Sequence, residues 1–172
     1  MTLFERLQNE SGDPTRDWPV STAAAPVFDW SLLRFGPISF GDTLESAQPL
    51  GRPDAFRWTQ PGYCELLYER AGFQIDFDRG CFAYLAYFIA PDTTGPVHTN
   101  MQYSTPVLDD EVALTRDIHI ADLKARLGPP ISEDVDCDGT VLFYVGGGVV
   151  LEFEFDGEGR LKRWNLYPER EE

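Results

Sequence analysis

The chain has 172 residues, 42% hydrophobic and 13% aromatic, which is apolar material for one sizeable core or for two small modules sharing one. Fourteen Lys and Arg stand against twenty-nine Asp and Glu, a net charge of −15; a phosphate backbone or an anionic membrane is repelled, so the expected partner is a basic protein, unless the charge serves solubility alone. No run approaches the roughly 18 consecutive apolar residues of a membrane span. Residues 1–10 have neither the basic region nor the apolar stretch of a secretory signal, which predicts a cytoplasmic protein.

Residues 3–9 are expected to form one or two helical turns with Leu3, Phe4 and Leu7 on a face. Between Ser11 and Pro26, the residues Gly12, Pro14, Pro19 and Pro26 predict irregular chain. Val27-Phe28-Asp29-Trp30 and Leu32-Leu33 are apolar enough to dock it, so residues 1–34 read as an arm held on the body. A first unit covers residues 35–90. In it Ile38-Ser39-Phe40 leads to Asp42, placed to N-cap a short helix through Leu44 and Ala47 that stops at Pro49 and Gly51-Arg52-Pro53. Ala55–Pro61 reads as a loop carrying Trp58. Tyr63–Glu69, Phe73–Asp78 and Phe82–Ile89 read as strands. Phe73, Ile75 and Phe77 alternate with Gln74, Asp76 and Asp78, the period of two of a half-buried strand, and the third run is apolar enough to be covered on both faces.

Residues 91–117 form a connection with a candidate strand at Val97–Tyr103 and a turn at Asp109-Asp110 into Val112–Thr115. The second unit, residues 118–168, opens with a helix from Ile118 to Leu127, apolar at Ile120, Leu123 and Leu127 and ended by Gly128-Pro129-Pro130. Strands are expected at Thr140–Val145, Val149–Phe155 and Leu161–Tyr167, joined by Gly146-Gly147-Gly148 and by Asp156-Gly157-Glu158-Gly159. Residues 169–172 are a charged tail.

Leu50-Gly51-Arg52-Pro53 recurs as Leu127-Gly128-Pro129-Pro130, and Gln74–Asp78 lies over Glu152–Asp156, with Leu66 matched to Phe143 and Phe77 to Phe155. The two units thus read as an internal duplication. The expected fold class is α+β: two tandem helix-plus-antiparallel-meander repeats, with helices on one side of the sheet and an open acidic face on the other. Over residues 36–168 this pattern resembles the β-lactamase-inhibitory-protein fold, and its single module resembles the small outer-membrane assembly lipoprotein of the same topology. The resemblance implies a non-catalytic scaffold whose concave sheet receives a partner protein. The chain departs from it in lacking an export signal, a lipobox and paired cysteines, and no β-lactamase contact residue is carried over.

On that open face Asp76, Asp78, Glu152, Glu154 and Asp156 should form an acidic stripe, partly paired with Lys162 and Arg163. These five and Trp58, a candidate interface anchor, are the expected partner-binding residues. Asp134-Val135-Asp136-Cys137-Asp138-Gly139 opens like a calcium loop, but the twelfth position is Val145, so the closing carboxylate is missing and an acidic turn is the expectation. His98 and His119 lack metal spacing, His119 reading as a cap or surface residue. Cys64, Cys81 and Cys137 are expected as reduced thiols, the first two as small apolar strand residues. No catalytic residue, metal or cofactor is expected. The function expected is a protein-binding module, in its sharpest form an immunity-type inhibitor of a basic effector or toxin; the alternatives are a structural or housekeeping domain without a dedicated site, a calcium protein or a small enzyme.

Overall fold

Among the described residues thirteen strands form, and eight of them pair antiparallel into one sheet. The computed structural model describes residues 12–21, 24–91, 101–108 and 112–169. In chain order these hold β1 (Phe28–Asp29), β2 (Arg34–Phe35), β3 (Ile38–Ser39), a 3-10 helix (Leu44–Leu50), β4 (Ala55–Gln60), β5 (Tyr63–Tyr68), β6 (Phe73–Asp78) and β7 (Cys81–Phe88). After them come β8 (Val107–Leu108), β9 (Val112–Ala113), α1 (Ile120–Leu127), β10 (Ser132–Val135), β11 (Gly139–Gly146), β12 (Val149–Asp156) and β13 (Leu161–Pro168). The large sheet runs β10-β11-β12-β13-β7-β6-β5-β4. Two hairpin meanders therefore meet at the antiparallel β7–β13 pair, where Leu85 lies opposite Leu166.

This is a mainly β protein, 48% strand and 10% helical, and the expectation of α+β repeats built on helices is overturned. The reason is local. The first expected helix contains Pro49 and closes as a 3-10 turn of seven residues, and α1 is only eight residues long with Leu123 as its one fully buried side chain. Neither can cover an eight-stranded sheet. The small β1–β3 sheet adds to them, so that Phe28, Phe35 and Ile38 from its strands join Leu44, Ala47 and Leu50 of the 3-10 helix in one core cluster with the residues of the large sheet. The residue match between the units fails at one point too: Leu66 lies in the core, whereas Phe143, opposite Glu152, lies on the other face.

The covered face is dense with rings. Trp164 is sealed between Tyr87, 5.4 Å away and nearly parallel, and Phe153 at 5.8 Å. Phe77 and Phe155 are both buried, as the period of two predicts. β4 and β10 were not anticipated. The expected turns over residues 3–9, His98 and residues 97–100 of the candidate strand lie outside the described residues; residues 101–103 are not strand. The two Leu-Gly-x-Pro glycines differ in duty. Both have φ near +80°, but a Cβ on Gly51 would sit 2.7 Å from the Ser21 backbone, whereas a Cβ on Gly128 would meet nothing.

Candidate functional site

Counting alternate residues along the paired strands places three rows of side chains on the face opposite the core. The first row runs Glu65, Asp76, Tyr84, Tyr167, Val150, Val145: the strand register sets every neighbour except Tyr84 and Tyr167, whose rings stack at 6.0 Å. The second runs Leu67, Gln74, Ala86, Asn165, Glu152, Phe143. The third runs Phe88, Arg163, Glu154, Val141. Bulges at Asp76/Phe77 and at Glu154/Phe155 add twist beside the centre.

The acidic stripe is therefore present on one face but is not uniformly open. Asp76 is 3% exposed, which corrects its expected outward position: it lies under Tyr63, whose hydroxyl donates to Oδ2 at 2.7 Å, and beside Gln74, whose Nε2 donates to Oδ1 at 2.8 Å. Burial pushes the Asp76 carboxyl up to about 6, against the lowering effect of those two hydrogen bonds. Burial likewise raises the Tyr63 and Tyr84 hydroxyls, the negative charges of Asp76 and Glu152 respectively adding to it. Both phenols stay protonated donors.

Glu152 is held by neutral groups: Asn165 Nδ2 donates to Oε1 at 2.8 Å and the Tyr167 hydroxyl to Oε2 at 3.0 Å. Glu154 instead lies against cations, Arg163 at 3.4 Å and Lys162 at 3.8 Å, and also accepts from Asn165 at 2.6 Å. Asp156 is committed to its own turn, accepting from the Glu158 and Arg160 amides, and pairs with Arg116 at 3.3 Å. Asp78 is exposed beside a basin of about 360 Å³ lined by Tyr63, Ala83, Tyr84, Tyr167, Pro168 and Glu169. Trp58 faces the other way. It lies opposite the buried Cys64, packs edge-on against Phe56, and its Nε1 donates to the Gly12 carbonyl at 3.4 Å. It anchors the arm and is not on the acidic face.

The remaining motifs are structural. Asp136 Oδ1 accepts from the amides of Asp138 and Gly139, closing an Asx-type turn into β11. Among the described residues no group of three or more His, Cys, Asp or Glu is placed to hold a metal ion. His119 is the N-cap of α1, its amide donating to Asp122 at 3.0 Å. Cys64 is buried, its thiol pushed up to about 12 chiefly by desolvation, but Cys81 is exposed, contrary to its expected apolar role. The sequence reasoning missed Asn165, Tyr84, Tyr167, Tyr63 and Gln74. Tyr63 and Gln74 each sit two residues from an acidic residue of their own strand, Glu65 and Asp76, and so carried a signal; Tyr84, Asn165 and Tyr167 did not, because the irregularities at Asp76/Phe77 and Glu154/Phe155 break the count from the core residues Phe82 and Leu161.

No protein-family model matches the chain, and no curated protein is similar to it. One solved structure is similar, a DUF4309 family protein, YjgB, of Bacillus subtilis, at 15% identity and a TM-score of 0.48, over 74% of this chain and 78% of that one. The mainly β fold, 48% strand and 10% helical, is not a pair of helix-plus-meander repeats, so the resemblance to the β-lactamase-inhibitory-protein architecture is withdrawn. Among the described residues no helix is long and apolar enough to cross a membrane.

Proposed function

We propose that the chain is a non-catalytic protein-binding module that holds a basic protein on the open face of its large sheet, an immunity-type inhibitor of a basic effector being the particular form that fits a net charge of −15. The observation that carries the reading is the centre of that face. Glu152 and Asp76 hang there on neutral donors, flanking the stacked Tyr84 and Tyr167 rings. Tyrosines give large contact area at low conformational cost, and desolvated carboxylates of fixed orientation reward a cation strongly. The half-buried Phe143 and Val150 extend the same patch with apolar surface.

The test is capture from extract of the native host on immobilised protein, wild type against Glu152→Lys. The expected result is a basic protein retained at low salt, eluted as salt rises, and bound about tenfold or more weakly by the variant. Equal retention of the same protein by both baits, insensitive to salt, rejects the proposal.

A further inference from the structure

Where β6 ends and β7 begins, the open face carries one residue too many. Asp76 lies opposite Tyr84 and Phe77 opposite Phe82, so Ala83 has no partner on β6. An extra residue of this kind bends its strand and re-aims the side chains beside it. This one is an alanine, whose methyl fills little space. Ala83 lines the open basin of about 360 Å³ together with Tyr63, Tyr84 and Tyr167 and the exposed Asp78 and Glu169. That volume is at the small end for ligand pockets, with room for one side chain or a small molecule.

The tyrosines of the basin are held in place. The Tyr63 hydroxyl donates to Asp76 at 2.7 Å, the Tyr167 hydroxyl donates to Glu152 at 3.0 Å, and Tyr84 stacks on Tyr167. With those two donors engaged, the rings offer a ligand chiefly their π surface, which favours positive charge. Asp78 ends β6 and Glu169 follows β13, on either side of β7. Their backbones are therefore about two strand spacings, roughly 9–10 Å, apart. Among the described residues neither carboxylate is in an ion pair, and the adjacent Arg79 pairs with neither. The same face already shows a cation recognised by a ring, with the Arg163 guanidinium 5.2 Å over Phe88.

We propose, resting on the partner-binding reading of this face, that the basin over Ala83 receives one arginine side chain of the basic partner, its guanidinium donating to Asp78 and Glu169 from opposite edges while it packs against the tyrosine rings. Arginine suits the basin better than lysine. Its five donors in a planar fork serve two carboxylates at once and its plane packs on a ring, whereas an ammonium is a compact, strongly hydrated point charge. No ring has to move on entry, because the basin is already open, and a site formed in advance loses little to ordering.

The experiment is an NMR titration of the whole chain, following the Ala83 methyl and the rings of Tyr63, Tyr84 and Tyr167. The probes are N-acetyl-argininamide, N-acetyl-lysinamide, the neutral N-acetyl-citrullinamide and agmatine, all at constant ionic strength. The proposal expects saturable shifts of these groups with the arginine amide, weaker binding of the lysine amide, and at least fivefold weaker arginine binding by the double variant Asp78→Asn/Glu169→Gln. Ala83→Leu, which fills the basin without touching charge, should weaken binding as much. Shifts that never saturate, that the neutral amide reproduces, or that the double variant leaves unchanged overturn it, as does unchanged binding by a folded Ala83→Leu. Lysine binding as tight as arginine overturns the choice of arginine. Tighter binding of agmatine than of the blocked arginine assigns the basin to a free small cation and overturns the partner assignment. Failed capture with a positive titration rejects the protein partner alone, and capture with a negative titration rejects the basin alone.

Discussion

Replacing Asp76 by Asn removes a charge that the folded protein holds in a poorly solvated place. Desolvation raises the carboxyl from its ordinary 3.8 to about 6 even though Tyr63 and Gln74 both donate to it. The folded state therefore binds this proton more tightly than the unfolded chain does. The residue's contribution is most favourable below about pH 4, falls as pH rises toward 6, and is constant above that. Two pH units at about 1.4 kcal/mol each put the cost of the ionised group at about 3 kcal/mol. Asn keeps the acceptor for the Tyr63 hydroxyl, and the Gln74 amide has only to rotate by half a turn. Asp76→Asn is expected to be about 2–3 kcal/mol more stable than wild type at pH 8 and nearly equal at pH 4. Urea unfolding followed by tryptophan fluorescence at several pH values measures this directly. A variant no more stable than wild type at pH 8, or a gap that does not change with pH, refutes the reasoning.

Three further outcomes are expected. Gly128→Ala should cost about 1–3 kcal/mol, the strain of a positive φ with an extended ψ alone, whereas Gly51→Ala should cost about 3–5 kcal/mol because its methyl also collides with the Ser21 backbone; thermal melts of the pair check the order, and equal losses contradict it. Phe153→Ala removes the ring stacked on Trp164 from a fully buried site, and denaturant titration should show a loss of about 3–5 kcal/mol. A cation placed near Asp76 lowers its proton affinity, so association with the basic partner should release protons and weaken several-fold between pH 7 and pH 5; calorimetry in buffers of different ionisation heat checks this, and pH-independent affinity with no proton release contradicts it.

Strands that alternate strictly were readable from the chain alone. Phe73–Asp78 and the core positions Leu151, Phe153 and Phe155 fall where a period of two puts them. β10 was not readable, because Ser132–Val135 is a fully exposed edge strand whose pairing is dictated by β11 and not by any pattern of its own. β4 was masked by the prolines on either side of Ala55–Gln60. The spacing of Leu44 and Ala47 suits a 3-10 turn as well as an α-helix, and Pro49 decided between them. The site was half legible. Period two puts Asp76 on the face away from Phe77, but outward in the middle of a wide sheet is not the same as wet: Tyr63 and Gln74 close over it. The rows of the open face depend on β7 lying beside β13, a pairing between distant segments that no local pattern encodes.

Fluorine NMR of the protein with its tyrosines replaced by 3-fluorotyrosine tests the binding face most directly. Tyr63, Tyr84 and Tyr167 line that face, while Tyr68, Tyr87 and Tyr144 are buried with the core cluster and serve as internal controls. On addition of the captured basic protein, the resonances of Tyr63, Tyr84 and Tyr167 should shift and those of the core tyrosines should hold still. Shifts confined to the core tyrosines or to Tyr103, with the three face tyrosines unmoved, would contradict the account.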